Sequence, residues 1–342
     1  ITAKIVGHDV SKKVLLLGKK RGIIDYYYDN LQTAAKEADL IVMAVPVGYY
    51  REIFEKIGPY LSSRTIVTDL GSVKGYVEKI AREFLPRQIQ FLGGHPMAGS
   101  EKGGLGAASP FLYENAYFFL TPNANSKGKT ITKLKELVVN IGAYPVVISP
   151  DQHDRIVAQI SHMPHLTAAL LTNLLAGRNS FPYLSFVGGG FRDSTRIAAG
   201  NPNMWRDIFL YNRKEILSSI GVFEDMLQDF KGALLKEKEE IILDFLARGK
   251  KIRDGIGHVA KDYIPSTYDI VVDAEDRPGT LGDLTRSLGE NKINIKQIEI
   301  LHAREGEHGA IRIAFAIEDE AEKAVKVLRG EGFSLAYRKG GN

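Results

Sequence analysis

The stretch GGHPMAGSEKGG, Gly93 to Gly104, sets one histidine among glycines and follows it with Ser, Glu and Lys. Imidazole titrates near neutrality, so His95 is a candidate general acid or base. Pro96 biases it towards an extended backbone. The glycines permit tight turns and close approach to a ligand. Ordinary loop packing accounts for an isolated His-Pro equally well. A second candidate pair lies in SHMPH, where His162 and His165 share one helical face. That spacing also suits a metal, but the chain has no cysteine and no clear carboxylate partner stands near, so no metal is expected. A third candidate is Arg196, in GGGFRDSTRIAAGNPNMWRDIF. Its planar guanidinium can grip a carboxylate bidentately, or simply pair with Asp193 or Asp207.

The elements that must position these residues follow from hydrophobic period. From Lys4 to about Ser149, short apolar runs alternate with helical stretches. KIVGHD, LIVMAVP, TIVTDLGS, IQFLGG, AYFFLTP and AYPVVIS read as buried strands, and LQTAAKEA, VKGYVEKIAREFL and TITKLKELVVNIG as helices. This alternation predicts a parallel α/β sheet, which binds ligands at the carboxyl ends of its strands. Asp9, Pro46, Gly71, Ser72 and His95 all follow such runs. A helical region follows over 150–260, opened by the start signal Ser-Pro-Asp. Trp205, Ile208, Phe209, Ile216, Ile220, Phe223, Leu227 and Phe230 make one apolar stripe there, for an internal core or a dimer face. Over 266–342, strands in YDIVVDAE, INIKQIEILHA, GAIRIAFAIE and SLAYRK interleave with two helices. The order β-α-β-β-α-β predicts a small ferredoxin-like α+β domain.

The totals narrow the function classes. With 342 residues the chain has material for two or three domains. Its 45 basic and 41 acidic residues leave a net charge of +4, too even to argue for nucleic acid. No apolar run is long enough to span a membrane, and the amino terminus is no signal peptide. The absence of cysteine is compatible with a cytoplasmic protein.

Asp9 ends the first strand. In dinucleotide folds an acidic residue there bonds the ribose hydroxyls of NAD and repels a 2′-phosphate; on spacing alone, a turn-capping Asp fits as well. The glycine fingerprint that precedes such an Asp by about 20 residues does not occur in the sequence.

Together, TDLGSVKG, GGHPMAGSEKGG, SHMPH and GGGFRDSTRIAAGNPNMWRDIF, in that order and spacing, resemble the bacterial prephenate dehydrogenases, and DAEDRPGTLGDLTRSLGENKINI resembles an ACT domain. The resemblance implies a Rossmann-like NAD domain over 1–149 lacking its first strand and glycine loop, a helical substrate and dimerisation domain over 150–260, and a regulatory ACT domain over 266–342. It implies oxidative decarboxylation of prephenate to 4-hydroxyphenylpyruvate with NAD+, by a homodimer under feedback control. His95 matches the family's catalytic histidine. Ser72 matches a serine that contacts this histidine and the nicotinamide; its other reading is the N-cap of a helix beginning at Val73. Arg196 matches the carboxylate-binding arginine. His165, His162, Gly189, Arg192, Glu101, Asp193 and Trp205 match pocket or gating positions, although Trp205 equally suits helical core. Asp9, Pro46, Gly71 and Ser72 fall to the cofactor. Asp276, Gly279 and Gly282, with Asn294 of a neighbouring subunit, match an amino-acid site for which tyrosine is the natural effector. Two alternatives remain at this stage, an arogenate dehydrogenase and a non-catalytic amino-acid sensor.

Overall fold

The computed structural model describes residues 4–99, 104–176, 183–256, 268–275, 277–302, 308–315 and 317–338. The chain divides into two compact units, Ile1–Ile242 and Leu243–Asn342.

The first unit opens as alternating strand and helix. Its elements are β1 (Val6–Gly7), α1 (Lys12–Lys20), β2 (Tyr26–Tyr27), α2 (Leu31–Lys36), β3 (Leu40–Met43), α3 (Tyr50–Ile57), β4 (Ile66–Asp69), α4 (Gly75–Phe84), β5 (Gln90–Pro96), β6 (Tyr117–Thr121), α5 (Gly128–Asn140) and β7 (Tyr144–Val147). Five strands pair in the order β3-β4-β5-β6-β7, parallel except where β6 runs against β5. β1 and β2 form a separate parallel pair, with Val6 opposite Tyr26. Among the described residues no ladder joins β1 to β3, and Val6, Leu40 and Val42 on these edges are exposed. In a doubly wound sheet of this order one more parallel strand belongs between them. The core beneath the sheet is aromatic and aliphatic: Tyr50, Phe54, Ile57, Val67, Val77 and Ile80 are all buried.

Several elements depart from the sequence reading. α1, β2 and α3 were not anticipated; the helix KKVLLLGKK is flanked by lysines and buries little beyond Leu15 and Gly18. His95 lies inside β5, opposite Phe119, rather than in a loop. The glycines before it therefore serve packing within the sheet. A Cβ on Gly93 would stand 2.4 Å from Thr121 Oγ1, and one on Gly94 2.5 Å from the carbonyl oxygen of Asp69. No other residue fits either place without displacing its neighbours.

The helical part comprises α6 (Pro150–Val157), a π turn (Ala158–His162), α7 (Met163–Ala176), α8 (Gly189–Thr195), α9 (Pro202–Tyr211), α10 (Arg213–Leu235) and α11 (Glu239–Gly255). Ser149 caps α6 in a full capping box with Gln152, as the Ser-Pro-Asp signal implied. Pro164, which has no N–H to give, stands two residues past the π turn. The apolar stripe is internal only at its start. Ile208 and Ile216 are buried, whereas Phe223 and Leu227 face solvent with Leu217, Val222 and Met226.

The second unit contains β8 (Tyr268–Glu275), α12 (Thr280–Glu290), β9 (Gln297–His302), β10 (His308–Phe315), α13 (Glu318–Gly330) and β11 (Ser334–Arg338). The strand order β11-β8-β10-β9, antiparallel throughout, gives the expected ferredoxin-like sheet. Alternate residues Ile270, Val272, Ile311 and Ile313 pack onto Leu284, Leu288 and Leu328 of the two helices. β9 begins at Gln297 rather than Ile293, because Lys292 takes a left-handed turn and Ile293 tucks into the core instead. Among the described residues no helix is long and apolar enough to cross a membrane.

Candidate active site

His95 is buried at the carboxyl end of β5, the end at which α/β sheets bind ligands. Its Nδ1 lies 2.8 Å from Nε2 of His153, whose own Nδ1 lies 2.8 Å from Oδ1 of Asp154. Asp154 is held in turn by α4: Lys74 N–H donates to Oδ1 and Gly75 N–H to Oδ2, each at 2.8 Å. α4 is thus capped by a carboxylate from α6, and Ser72 is not its N-cap. Nor does Ser72 hydrogen-bond His95 among the described residues; it sits half-buried in the turn between β4 and α4.

Beneath the histidine lies a fully buried ion pair, Lys74 with Asp69. It clamps Gly94 on both sides: the ammonium donates to the Gly94 carbonyl at 2.7 Å, and Asp69 Oδ1 accepts the Gly94 N–H at 3.0 Å. The other Asp69 oxygen accepts the Gly71 N–H at 2.9 Å. Burial lowers the pKa of His95 well below 6.5, with further lowering from His153, Lys74 and His162. Burial likewise lowers that of His153, against the opposing hydrogen bond to Asp154. Both imidazoles are neutral at pH 7.

A second cluster adjoins through Asn212. Its amide donates to the Asp154 carbonyl at 2.9 Å and to His162 Nδ1 at 3.1 Å. Burial lowers the His162 pKa to about 4. With Nδ1 accepting, the neutral ring carries its proton on Nε2, which is buried without a partner among the described residues. His165 stacks on Trp205 with centroids 3.5 Å apart, and its buried Nδ1 is likewise unpartnered. Trp205 is half-buried, so it is a wall of this cluster rather than core. Gly200 presses on the same stack; a Cβ there would meet Trp205 Nε1 at 2.5 Å. The turn Arg196–Ala199 just before it packs on α7. Arg196, Arg192, Asp193 and Gly189 are exposed, and Asp207 pairs with Arg206 rather than Arg196 at 2.7 Å. Glu101 lies outside the described residues.

At the cofactor end, Asp9 Oδ1 accepts the Ser11 N–H at 2.7 Å, and Oδ2 has no bond among the described residues, which suits a ribose hydroxyl. Gly71 lies so close to the loop after β3 that a Cβ would stand 2.8 Å from Val47. Pro46, exposed at the head of that loop, and Ser72 flank it. These residues fit the two ends of a dinucleotide; no glycine turn of the Gly-x-Gly-x-x-Gly type occurs to hold its pyrophosphate. In the second unit Gly279 has φ +98° and heads α12, Gly282 follows in its first turn, and Asn294 is exposed before β9; Asp276 lies outside the described residues.

His153, Asp154, Lys74 and Asp69 were not singled out from the sequence. The signal was the His-Asp pair one residue past the Ser149 capping box, hidden in an ordinary helix start.

Known proteins resemble the chain along most of its length. Residues 1–147 match the prephenate dehydrogenase nucleotide-binding domain, 149–248 the prephenate dehydrogenase dimerization domain and 268–332 the ACT domain. The chain is 36% identical to the prephenate dehydrogenase of Bacillus subtilis (strain 168) over 328 residues, 95% of this chain and 88% of that protein. It is 32% identical to that of Lactococcus lactis subsp. cremoris over 330 residues, 95% of this chain and 90% of that protein. The structure of prephenate dehydrogenase from A. aeolicus in complex with hydroxyphenyl propionate and NAD+ superposes with a TM-score of 0.70 and 34% identity, covering 75% of this chain and 90% of that one. With its sheet, its buried histidine and its three domain matches in one order, the chain belongs to the prephenate dehydrogenase family.

Proposed function

We propose that the protein is a cytoplasmic, homodimeric, NAD-dependent dehydrogenase that converts prephenate to 4-hydroxyphenylpyruvate and is feedback-inhibited by tyrosine through its ACT domain. The observation that carries this reading is His95: a buried, neutral imidazole at the carboxyl ends of the strands, beside the loop that holds Gly71. Bound NAD+ supplies the hydride acceptor, while the ring carboxylate leaves as carbon dioxide and the product gains aromaticity. His95 takes the proton of the ring hydroxyl, which must depart as the carbon becomes a carbonyl. A histidine that stays neutral in the cell is ready for this without first losing a proton. His162, with its proton on Nε2, donates to an acceptor oxygen of the substrate. Arg196 meets a carboxylate as a bidentate fork, with Arg192 adding charge. Trp205 and His165 wall the pocket against water. Asp9 holds the adenosine ribose; Pro46, Gly71 and Ser72 border the nicotinamide. Glu101 and Asp193 gate access, and Gly189 shapes the pocket wall.

The test is NADH formation with prephenate and arogenate in parallel, each with NAD+ and with NADP+. Turnover of prephenate with NAD+ is expected. Preference for arogenate would move the substrate assignment, and preference for NADP+ would remove Asp9 from its role. Tyrosine is expected to inhibit the intact chain but not one ending at Ile256. Equal inhibition of both would place tyrosine at the active site.

A further inference from the structure

We propose that His153, anchored by Asp154, is the positioning residue that fixes the tautomer of His95, holding the proton on Nδ1 and leaving Nε2 bare. The proposal deepens the reading above and rests on His95 being the base.

The proton positions follow from the anchored end. Asp154 receives backbone N–H groups on both oxygens, from Lys74 and Gly75, so both oxygens act as acceptors. An accepting oxygen that faces His153 Nδ1 at 2.8 Å requires a proton on that nitrogen. His153 is fully buried and neutral, so its Nε2 is bare and accepts. The facing atom, His95 Nδ1 at 2.8 Å, must then donate. One tautomer of His95 remains, with its lone pair on Nε2. The reverse order would set a bare Nδ1 against the Asp154 oxygen, lone pair against lone pair, between buried groups. The α4 N-terminus thus dictates, through two side chains, which nitrogen of His95 takes the substrate's proton. In water an unconstrained histidine side chain favours the opposite tautomer, with hydrogen on Nε2, so His95 without this anchor tends to the other form.

The experiment is long-range ¹H–¹⁵N NMR of the full chain with ¹⁵N-labelled histidine, with His95 assigned through a His95→Gln spectrum. Native His95 is expected to show a protonated Nδ1 and a bare Nε2. His153→Phe keeps a buried ring without an acceptor. It is expected to move His95 towards the Nε2–H form and lower kcat by about 10²- to 10⁴-fold, the range a positioned base supplies, with KM for prephenate little changed. His153→Gln restores a carbonyl acceptor and is expected to recover the native tautomer and most of kcat. A native His95 protonated on Nε2 overturns the proposal, as does a folded His153→Phe protein with unchanged tautomer and turnover. Absence of turnover in the native protein would sink the enzymatic reading alone, because the spectrum reports the tautomer without substrate.

Discussion

A base that must be neutral is safest where water cannot help it take a stray proton. His95 meets that condition through burial, which disfavours the imidazolium and drives its pKa down from 6.5. The sign sets the pH profile: the basic form persists as pH falls through 6.5. The acid limb of kcat/KM is therefore expected below pH 6.5, and a limb above that value would show another group in control. His95→Asn is expected to cut kcat by about 10²- to 10⁴-fold with little change in melting temperature, checked by steady-state kinetics and calorimetry. At this scale the sequence revealed what carries a distinctive neighbourhood: His95 among its glycines, Arg196 in its long motif. It hid His153 and Asp154, whose importance lies in contacts across 58 and 80 residues that no local pattern records.

Helix α4 is started by a carboxylate from another helix, so a side chain far along the chain fixes both a helix end and a histidine. Asp154→Ala removes two backbone partners and the anchor of His153. It is expected to cost about 2–3 kcal/mol, as for a buried charged cap, measured by urea unfolding. Gly94→Ala forces a Cβ to 2.5 Å from a backbone oxygen that cannot swing away. A loss of about 1–3 kcal/mol is expected, whereas Gly221→Ala, with nothing within 4 Å among the described residues, is expected to cost nothing. The order of the buried strands was legible because hydrophobic period reports burial directly, whereas α1, β2 and α3 were not read from it. The limits of β5 were not. Gly93, Gly94 and His95 look like loop by composition, and they pair as strand because Asp69 and Thr121 crowd the space above and below.

For the whole molecule, acid should destabilise before it inactivates. The His162 pKa is about 4 when folded and about 6.5 when unfolded, so the unfolded chain binds more protons between those values. Stability falls as pH drops from 6.5 towards 4 and levels below it, with about 2 kcal/mol lost from this residue by pH 5. A His162→Gln protein is expected to have a shallower decline of melting temperature across that window. The exposed apolar face of α10 belongs to the segment matched as a dimerization domain. Sedimentation is expected to give a dimer, and Leu227→Arg a monomer or a much weaker dimer. The stripe itself was readable in the sequence; which part of it met a core was not, because periodicity counts apolar residues without saying what covers them. The buried Lys74–Asp69 pair has a consequence for chemical labelling. Lys74 is shut away from water with its carboxylate, so a water-borne acylating reagent reaches it only when the domain opens locally. Brief acetylation of the native protein is therefore expected to spare Lys74 while modifying the exposed lysines, and the rate at which mass spectrometry finds Lys74 modified then reports the opening of the site around His95.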